Sequence, residues 1–262
     1  MYNVQNKTVM ITGAAVGLGY KYAEILLRNG AKSIAVVDLP TSSGRTAADT
    51  LEKEFGKGRA VFFACDVTKA DELKKTFEKI VDAFHGLDIL INNAGMLNDK
   101  YWEQTLELNV KALISGSMLA LDYMGEHKDG KGGVIVNISS ILGLEADSIL
   151  PMYSASKYAV LGFSQALACM HDKTGVRVVI MCPGVTRTAL VANIQDKMND
   201  SVQAAVDFDG LAKYPTQTTD HVALAMLQLI QKGKNGATWV AEGGQPPYAV
   251  DFSHYSKRSL PV

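Results

Sequence analysis

The sequence predicts an α/β fold, a single-domain Rossmann-type doubly wound parallel sheet of about seven strands with helices on both faces. Three observations lead to this prediction. Short apolar runs alternate with longer segments of helical period along the whole chain. The runs are apolar on both faces, as expected of strands that helices cover on either side. A glycine-rich turn joins the first strand to the first helix, which is the arrangement of a β-α-β unit.

Each element follows from these patterns. The predicted strands are residues 7–11, 33–38, 60–64, 87–91, 134–138, 176–181 and 237–240. The predicted helices run from the glycine turn to residue 29 and over residues 46–55, 70–84, 102–126, 153–171 and 220–231. Residues 189–218 lack a strand period and predict a helical insertion near the substrate, and the tail 243–262 predicts no regular element. No repeat or linker divides the chain, so residues 1–262 are predicted to form one domain.

Composition excludes several classes of function. The chain has 262 residues, of which 47% are hydrophobic, enough for the core of one large domain. A net charge of -1 gives no electrostatic reason to expect nucleic acid or a membrane as a partner. No segment has the ~18 apolar residues of a membrane helix, and no secretory signal is evident. Cys65, Cys169 and Cys182 fit neither a disulfide framework nor a zinc site, so we expect a cytoplasmic protein without a metal.

The turn from Thr12 to Gly19 is the first motif that carries chemistry. Its glycines let the chain turn tightly and bring backbone N–H groups to a pyrophosphate at the helix N-terminus. Asp38 ends the next strand, where a carboxylate binds a ribose 2′-hydroxyl and repels a 2′-phosphate. Neither Leu39 nor Val16 adds a cation, so NAD is favoured over NADP. The alternatives are a glycine loop without function and an ordinary acid at a strand end.

Tyr153 and Lys157 lie four residues apart in a predicted helix and project from the same face. A free phenol has a pKa near ~10, so an acid/base role at neutral pH needs about 4 kcal/mol of bias toward phenolate. A neighbouring ammonium and a cationic cofactor would supply this bias. Such a pair also arises by chance, but other polar motifs follow the predicted strands, where ligands bind in doubly wound sheets. These motifs are the glycine turn, Asp38, Asp66, residues 92–95, Ser140 and residues 183–188.

Together the motifs resemble the family of short-chain dehydrogenases/reductases over essentially the whole chain. The matching pieces are the turn 12–19, Asp66-Val67, Asn92-Asn-Ala-Gly95, Asn109, Ser140, Tyr153-x-x-x-Lys157 and Pro183-Gly184. Within the family, Leu121-Asp-Tyr-Met124 is similar to hydroxyprostaglandin dehydrogenases, and Gly184-Val-Thr-Arg-Thr188 is similar to insect-type alcohol dehydrogenases. Both subgroups are NAD-dependent, oxidise secondary alcohols and are usually dimers. The resemblance therefore implies a homodimer, with a dimer face on the helices 102–126 and 153–171.

The resemblance also implies a catalytic set of Asn109, Ser140, Tyr153 and Lys157. Tyr153 as phenolate would take the proton of an alcohol, and Lys157 would lower the pKa of Tyr153 and bind the nicotinamide ribose. Ser140 would hold the substrate oxygen, and Asn109 would hold a water beside Lys157. Ser139 competes for the role of catalytic serine, but the family's spacing to the tyrosine selects Ser140. The implied cofactor contacts are Gly13, Val16, Gly17, Leu18, Gly19, Asp38, Leu39, Asp66, Val67, Asn93, Ala94, Gly95, Tyr153, Lys157, Pro183, Gly184, Val185, Thr186 and Thr188.

The leading hypothesis is an NAD-dependent oxidoreductase that transfers a hydride between a lipophilic secondary alcohol, or the matching ketone, and NAD. An NADPH-dependent carbonyl reductase is the first alternative, and Asp38 counts against it. A non-catalytic dinucleotide-binding sensor is the second, and the complete catalytic set counts against it. The sequence leaves the substrate and the direction of reaction open. Four side chains are predicted to form either an apolar substrate wall or ordinary core, namely Met96, Leu150, Met152 and Leu190.

Overall fold

The structure, a computed structural model, describes residues 1–206 and 213–258. Its strands are β1 (Thr8–Thr12), β2 (Ser33–Asp38), β3 (Ala60–Ala64), β4 (Ile89–Asn92), β5 (Gly133–Ile138), β6 (Val176–Pro183), β7 (Thr238–Ala241) and β8 (Tyr248–Ala249). In the described residues they form one sheet in the order β3-β2-β1-β4-β5-β6-β7-β8. Strands β1 to β7 pair in parallel. The predicted α/β, doubly wound fold class is confirmed.

Helices cover both faces of the sheet. They are α1 (Gly17–Arg28), α2 (Gly44–Phe55), α3 (Ala70–Phe84), α4 (Trp102–Leu106), α5 (Leu113–Met124), α6 (Pro151–Ala168), α7 (His171–Thr174), α8 (Asp200–Gln203) and α9 (Thr219–Lys232). Alternate strand residues enter two separate apolar clusters, so that Ile11 packs with α1 and α9 while Met10 packs with α3 and α5. The winding reverses between β1 and β4, and the crevice for a ligand lies beyond their carboxyl ends.

The sheet differs from the prediction at its last edge. We predict about seven parallel strands, whereas the described residues contain eight, and β8 is antiparallel to β7. β8 lies in the tail, for which no regular element is predicted. It has only two residues, Tyr248 and Ala249, and both are exposed. A strand of two residues shows no alternation of apolar and polar residues in the sequence. Its pairing with Trp239 and Val240 therefore depends on the tertiary structure.

The helix predicted over 102–126 also differs in detail. It ends at Met124 because Gly125 is extended, and residues Glu107–Ala112 between α4 and α5 form a π-helix. A π-turn carries one extra residue and is frequent at functional sites. The predicted helical insertion consists of 3-10 turns at Ala189–Val191 and Ile194–Lys197 and the single turn α8, and residues 207–212 lie outside the described residues. Over the described chain, no helix has both the length and the apolar character that crossing a bilayer requires.

Candidate active site

A cavity of about 1080 Å³ opens at the carboxyl ends of the strands. This volume lies just above the ~300–1,000 Å³ range of small-molecule pockets, so the cavity has room for a dinucleotide and a substrate together. Nineteen of the predicted site residues line it, namely Gly13, Val16, Gly17, Leu18, Asp38, Leu39, Asp66, Val67, Asn93, Ala94, Gly95, Ser140, Tyr153, Lys157, Pro183, Gly184, Val185, Thr186 and Thr188. The two others, Gly19 and Asn109, lie behind its wall.

The glycine turn is shaped by close approach of backbones. Gly13 and Gly17 have φ of +65° and +60°, in the left-handed region that favours glycine. A Cβ on Gly13 would lie 2.9 Å from the Cα of Ala94. A Cβ on Gly19 would overlap the carbonyl oxygen of Gly13, so the missing side chain lets α1 begin directly against the turn. Gly19 therefore packs the turn and is outside the cavity lining, and its contact with the cofactor stays a prediction.

Asn93 fixes this turn from the neighbouring strand. Its side-chain amide donates to the carbonyl oxygens of Thr12 at 2.9 Å and Gly13 at 3.0 Å. The Thr12 hydroxyl in turn accepts the N–H groups of Asn93 and Ala94. The amide of Asn93 is thus bonded within the protein, and its contribution to the adenosine side of the cavity is to hold the glycine turn in place.

Asp38 stands at the carboxyl end of β2. Its Oδ2 accepts the N–H of Ala15 at 2.9 Å, and its Oδ1 accepts the N–H of Leu39 at 2.8 Å. Each carboxylate oxygen keeps further acceptor capacity for the hydroxyl groups of a ribose. The adjoining wall residues Val16 and Leu39 are apolar and exposed, so they add no charge that would bind a 2′-phosphate. The backbone of the glycine turn and the carboxylate of Asp38 are therefore suited to bind a dinucleotide with a free 2′-hydroxyl.

Tyr153 and Lys157 project from the first turns of α6 into the other end of the cavity. Both are almost completely buried, with 6% of each residue exposed. The Lys157 Nζ lies 5.6 Å from the centre of the Tyr153 ring and donates to the carbonyl oxygen of Ile138 at 3.0 Å. The predicted juxtaposition of a phenol and an ammonium is thus present in the structure.

The prediction that Lys157 and a cationic cofactor together favour the phenolate form of Tyr153 concerns the protein with its cofactor bound, and it stays a prediction. Burial raises the pKa of Tyr153 to about 12, although a hydrogen bond with Ser140 lowers it. Burial lowers the pKa of Lys157 to about 8. In the free protein, burial thus disfavours the charged form of both side chains. Ionisation of Tyr153 near neutral pH needs a further positive charge, which an oxidised nicotinamide ring supplies.

The two adjacent serines are used differently. The hydroxyl of Ser139 donates to the carbonyl oxygen of Lys157 at 2.9 Å and so holds α6 against β5. The hydroxyl of Ser140 accepts the N–H of Leu142 at 3.2 Å, lines the cavity and hydrogen-bonds Tyr153. Of the two candidates, Ser140 is the one beside the phenol.

Asn109 lies in the π-helical turn, with 1% of the residue exposed. Its Oδ1 accepts the N–H of Met96 at 2.8 Å, and its Nδ2 donates to the carbonyl oxygen of Met96 at 2.9 Å and to the Ser156 hydroxyl at 3.1 Å. A Cβ on Gly95 would lie 3.1 Å from Asn109 Oδ1 and 3.8 Å from Lys157 Nζ, so both side chains approach this glycine. Asn109 thus fixes the cavity wall, and its role in binding a water stays a prediction.

An apolar wall surrounds Tyr153. Of the four side chains predicted for a wall or core, Met96, Leu150 and Leu190 line the cavity, whereas Met152 does not. Two further residues of the insertion, Ile194 and Met198, are buried in the same apolar cluster as Tyr153. The described part of the insertion therefore packs beside Tyr153 through these two side chains.

Sequence reasoning missed four polar residues near this wall. The carboxylate of Asp147 accepts the hydroxyl of Tyr214 at 2.7 Å and the ammonium of Lys213 at 2.9 Å, which ties the end of the insertion to the segment before α6. Asp99 is buried against the start of α6. No local pattern marks these contacts, because Tyr214 is 67 residues from Asp147 and Met152 is 53 residues from Asp99.

The buried ammonium gives a prediction about stability. The pKa of Lys157 is about 8 in the folded chain, below its unfolded value of ~10.4. Folding therefore carries a penalty of about 3 kcal/mol below pH ~8, where both states are protonated, and this penalty disappears as pH rises to ~10.4. Loss of the bond to Ile138 offsets about 1 kcal/mol. We expect Lys157→Met to raise the free energy of unfolding at pH 7 by about 1–2 kcal/mol.

Urea unfolding at pH 7 and at pH ~10.5 measures this effect, and at the higher pH the gain should turn into a loss of up to about 1 kcal/mol, because only the lost bond to Ile138 then remains. Lys173→Met, at an exposed position of α7, is the matched control and should leave the unfolding free energy unchanged within about 0.5 kcal/mol. A Lys157→Met variant that is less stable than the wild type at pH 7 would contradict the prediction.

Comparison with known proteins gives the same family as the motifs. The family model described as short chain dehydrogenase matches residues 7–199. The chain is 41% identical over 219 residues to 15-hydroxyprostaglandin dehydrogenase (NAD(+)) of Rattus norvegicus, which covers 80% of this chain and 82% of the relative. It is 32% identical over 244 residues to Alcohol dehydrogenase 1 of Ceratitis cosyra, which covers 92% of this chain and 94% of the relative. The chain therefore belongs to the short-chain dehydrogenase family.

Proposed function

We propose that the protein is an NAD-dependent dehydrogenase that transfers a hydride between a lipophilic secondary alcohol and NAD. The observation that carries this proposal is a single cavity with Asp38 and the glycine turn at one end and Ser140, Tyr153 and Lys157 at the other. The relatives support it, because their names include an NAD(+)-linked hydroxyprostaglandin dehydrogenase and an alcohol dehydrogenase. Bound NAD supplies the hydride acceptor.

Four side chains of this protein bind the substrate and the cofactor and transfer the proton. The Tyr153 oxygen takes the proton of the alcohol, and the hydroxyl of Ser140 holds the same substrate oxygen as negative charge develops there. Lys157 holds the nicotinamide ribose. Because the pKa of Lys157 is about 8, it exchanges a proton readily near neutral pH and relays the proton of Tyr153 away from the cavity. Asn109 keeps the wall beside Lys157 in place and binds a water of this relay.

The apolar wall favours a lipophilic substrate. Met96, Leu150 and Leu190 face the cavity around Tyr153, and desolvation of an apolar chain against them contributes roughly 25 cal/mol per Å² of buried area. We further propose that residues 1–262 form one domain in which the insertion at 189–218 sets substrate specificity; residues 207–212 and 259–262 lie outside the described residues.

Titration of the purified protein with NADH and NADPH, followed by nicotinamide fluorescence, tests the cofactor. A turnover screen with NAD and secondary alcohols, including 2-octanol, then tests the reaction. Tight NADH binding, weak NADPH binding and turnover support the proposal. Preference for NADPH would favour a carbonyl reductase, and NADH binding without turnover of any alcohol would favour a sensor.

We also propose a cytoplasmic homodimer. The cysteines of the chain are free, as expected in a reducing compartment. The helices α5 and α6 expose the large apolar side chains of Met118, at 47%, and Tyr158, at 43%, which a partner subunit would cover. Sedimentation equilibrium of the purified protein would measure the mass, and a monomer at micromolar concentration would contradict the dimer.

The two serines give a matched pair of variants. We expect Ser140→Ala to lower kcat for alcohol oxidation about 10²- to 10³-fold, because the hydrogen bond to the charged substrate oxygen is lost. Ser139→Ala removes the bond to the Lys157 carbonyl and should lower stability by about 1 kcal/mol, with kcat within about fivefold of wild type. Steady-state kinetics and thermal unfolding of both variants check this prediction. A larger kcat loss in Ser139→Ala than in Ser140→Ala would contradict it.

A further inference from the structure

A buried carboxylate outside the implied catalytic set lies beside Tyr153. Asp99 is 0% exposed, in the loop that follows the strand-end residues 92–95, and it does not line the cavity. Burial raises the pKa of this carboxyl, although hydrogen bonds from Met152 and Tyr153 lower it. Among the described residues no basic side chain forms an ion pair with Asp99. A buried carboxylate without a counter-ion is costly, so its other contacts must compensate.

Those contacts are with the first turn of α6. Asp99 Oδ2 accepts the N–H of Met152 at 2.8 Å, and Asp99 Oδ1 accepts the N–H of Tyr153 at 2.9 Å. The residue at the N-cap of α6 is Leu150, whose side chain has no acceptor for these N–H groups. Asp99 therefore supplies the cap that the local sequence lacks, and its negative charge lies at the positive end of the helix dipole.

The backbone of Tyr153 is consequently held on both sides. Asp99 accepts its N–H, and the hydroxyl of Ser156 donates to its carbonyl oxygen at 2.6 Å. Ser156 is in turn held by Asn109. Proton transfer requires the phenol oxygen to lie within about 2.6–3.2 Å of the substrate oxygen. A displacement of the Tyr153 backbone would move the phenol oxygen with it and lengthen this distance.

Asp99 also contacts the insertion, but through its main chain. Its N–H donates to the carbonyl oxygen of Lys197 at 2.8 Å, and the N–H of Lys100 donates to the same oxygen at 3.2 Å. These bonds persist when the side chain of residue 99 changes. A substitution at this position therefore removes or alters the hydrogen bonds of the carboxylate to α6 and leaves the main-chain bonds to Lys197 in place.

We propose that Asp99 is a positioning residue for Tyr153, whose carboxylate holds the first turn of α6 so that the phenol meets the substrate oxygen. The inference rests on the proposed alcohol dehydrogenase function. It differs from a general stabilising role in one respect: a positioning residue governs kcat more than it governs cofactor binding, because most of the implied cofactor contacts lie outside α6, in the glycine turn and at the carboxyl ends of β2, β3, β4 and β6.

The experiment compares two Asp→Asn variants of the full chain. Asp99→Asn keeps the size of the side chain but places an NH₂ group against a backbone N–H. We expect kcat for 2-octanol to fall about 10- to 100-fold, with NADH affinity and KM within about threefold of wild type. Asp88→Asn is the control, because Asp88 accepts the N–H of Thr8 at 2.9 Å and its hydroxyl at 3.0 Å at the amino ends of β1 and β4, opposite to the carboxyl ends where the cavity opens. It should lower the thermal midpoint and leave kcat within about twofold.

A kcat of Asp99→Asn within about twofold of wild type, or no lower than that of Asp88→Asn, would overturn the proposal. If Asp99→Asn does not fold, Asp99→Glu decides, since it keeps the charge but moves it by one methylene. A kcat at least about fivefold below wild type with unchanged NADH affinity would support the proposal, and a kcat within about twofold would overturn it. Absence of turnover in the wild type would instead contradict the proposed function itself.

Discussion

The Tyr153→Phe variant should lose alcohol oxidation by at least about 10³-fold while it binds NADH with wild-type affinity. The substitution removes only the oxygen atom that accepts the proton of the substrate. The ring stays in place, because Tyr153 is packed among the buried side chains of Leu97, Leu142 and Leu150. Since α6 and the cavity wall keep their positions, the cofactor contacts are preserved. Single-turnover rates with NAD and fluorescence titration with NADH measure the two effects separately.

The chain provides a matched control on the same helix. Tyr158 is 43% exposed, and its hydroxyl donates to the carbonyl oxygen of Leu144 at 2.8 Å, away from the cavity wall. Tyr158→Phe removes the same atom from α6 and should leave kcat within about twofold of wild type. Turnover of Tyr153→Phe within about tenfold of wild type would contradict the assignment of the phenol as the acid/base group.

Asp38→Asn should lower the preference for NADH over NADPH by about 10³-fold. The carboxylate and a 2′-phosphate repel each other, and two unit charges 4 Å apart near a protein surface interact by about 4 kcal/mol. Asparagine keeps an acceptor for one of the two N–H groups that Asp38 binds, those of Ala15 and Leu39, so the variant isolates the charge from most of the loop geometry. The ratio of the dissociation constants of NADH and NADPH is the quantity to measure.

Asp66→Asn is the control for this experiment. Asp66 lines the same end of the cavity, where its Oδ1 accepts the N–H and hydroxyl of Thr68. Since it is predicted to contact the adenosine that both cofactors share, its substitution should weaken both to a similar extent and leave their ratio within about threefold. A ratio unchanged by Asp38→Asn would show that another feature excludes NADPH.

The fold could be predicted because its signals are local. The strands Ser33–Asp38 and Ala60–Ala64 and the helix Ala70–Phe84 lie where the apolar patterns place them. The glycine turn is equally local, since its positive φ values require glycine at fixed positions. The two-residue strand Tyr248–Ala249 and the π-turn around Asn109 could not be predicted, because neither produces a recognisable period.

The residues of the candidate site likewise include some that local sequence signals predict and some that only the tertiary structure brings together. Tyr153 and Lys157 share one helix, so four residues of sequence bring them together. The choice between Ser139 and Ser140 came from the family's spacing, and the structure adds that the hydroxyl of Ser139 is bonded to the carbonyl of Lys157. The expected bias of Tyr153 toward phenolate, from Lys157 and a cationic cofactor, stays a prediction; the tertiary structure adds that burial raises the pKa of Tyr153 in the free protein.

The sequence by itself determined the fold class, the glycine turn, the acid after the second strand and the pairing of Tyr153 with Lys157. Each depends on hydrophobic period, on the conformational freedom of glycine or on side chains one helical turn apart. Only the tertiary structure decided that Asp99 caps α6, that Asp147 holds Tyr214 and that Gly19 packs behind the cavity. These contacts join elements far apart in the chain, and packing alone brings their atoms within bonding distance.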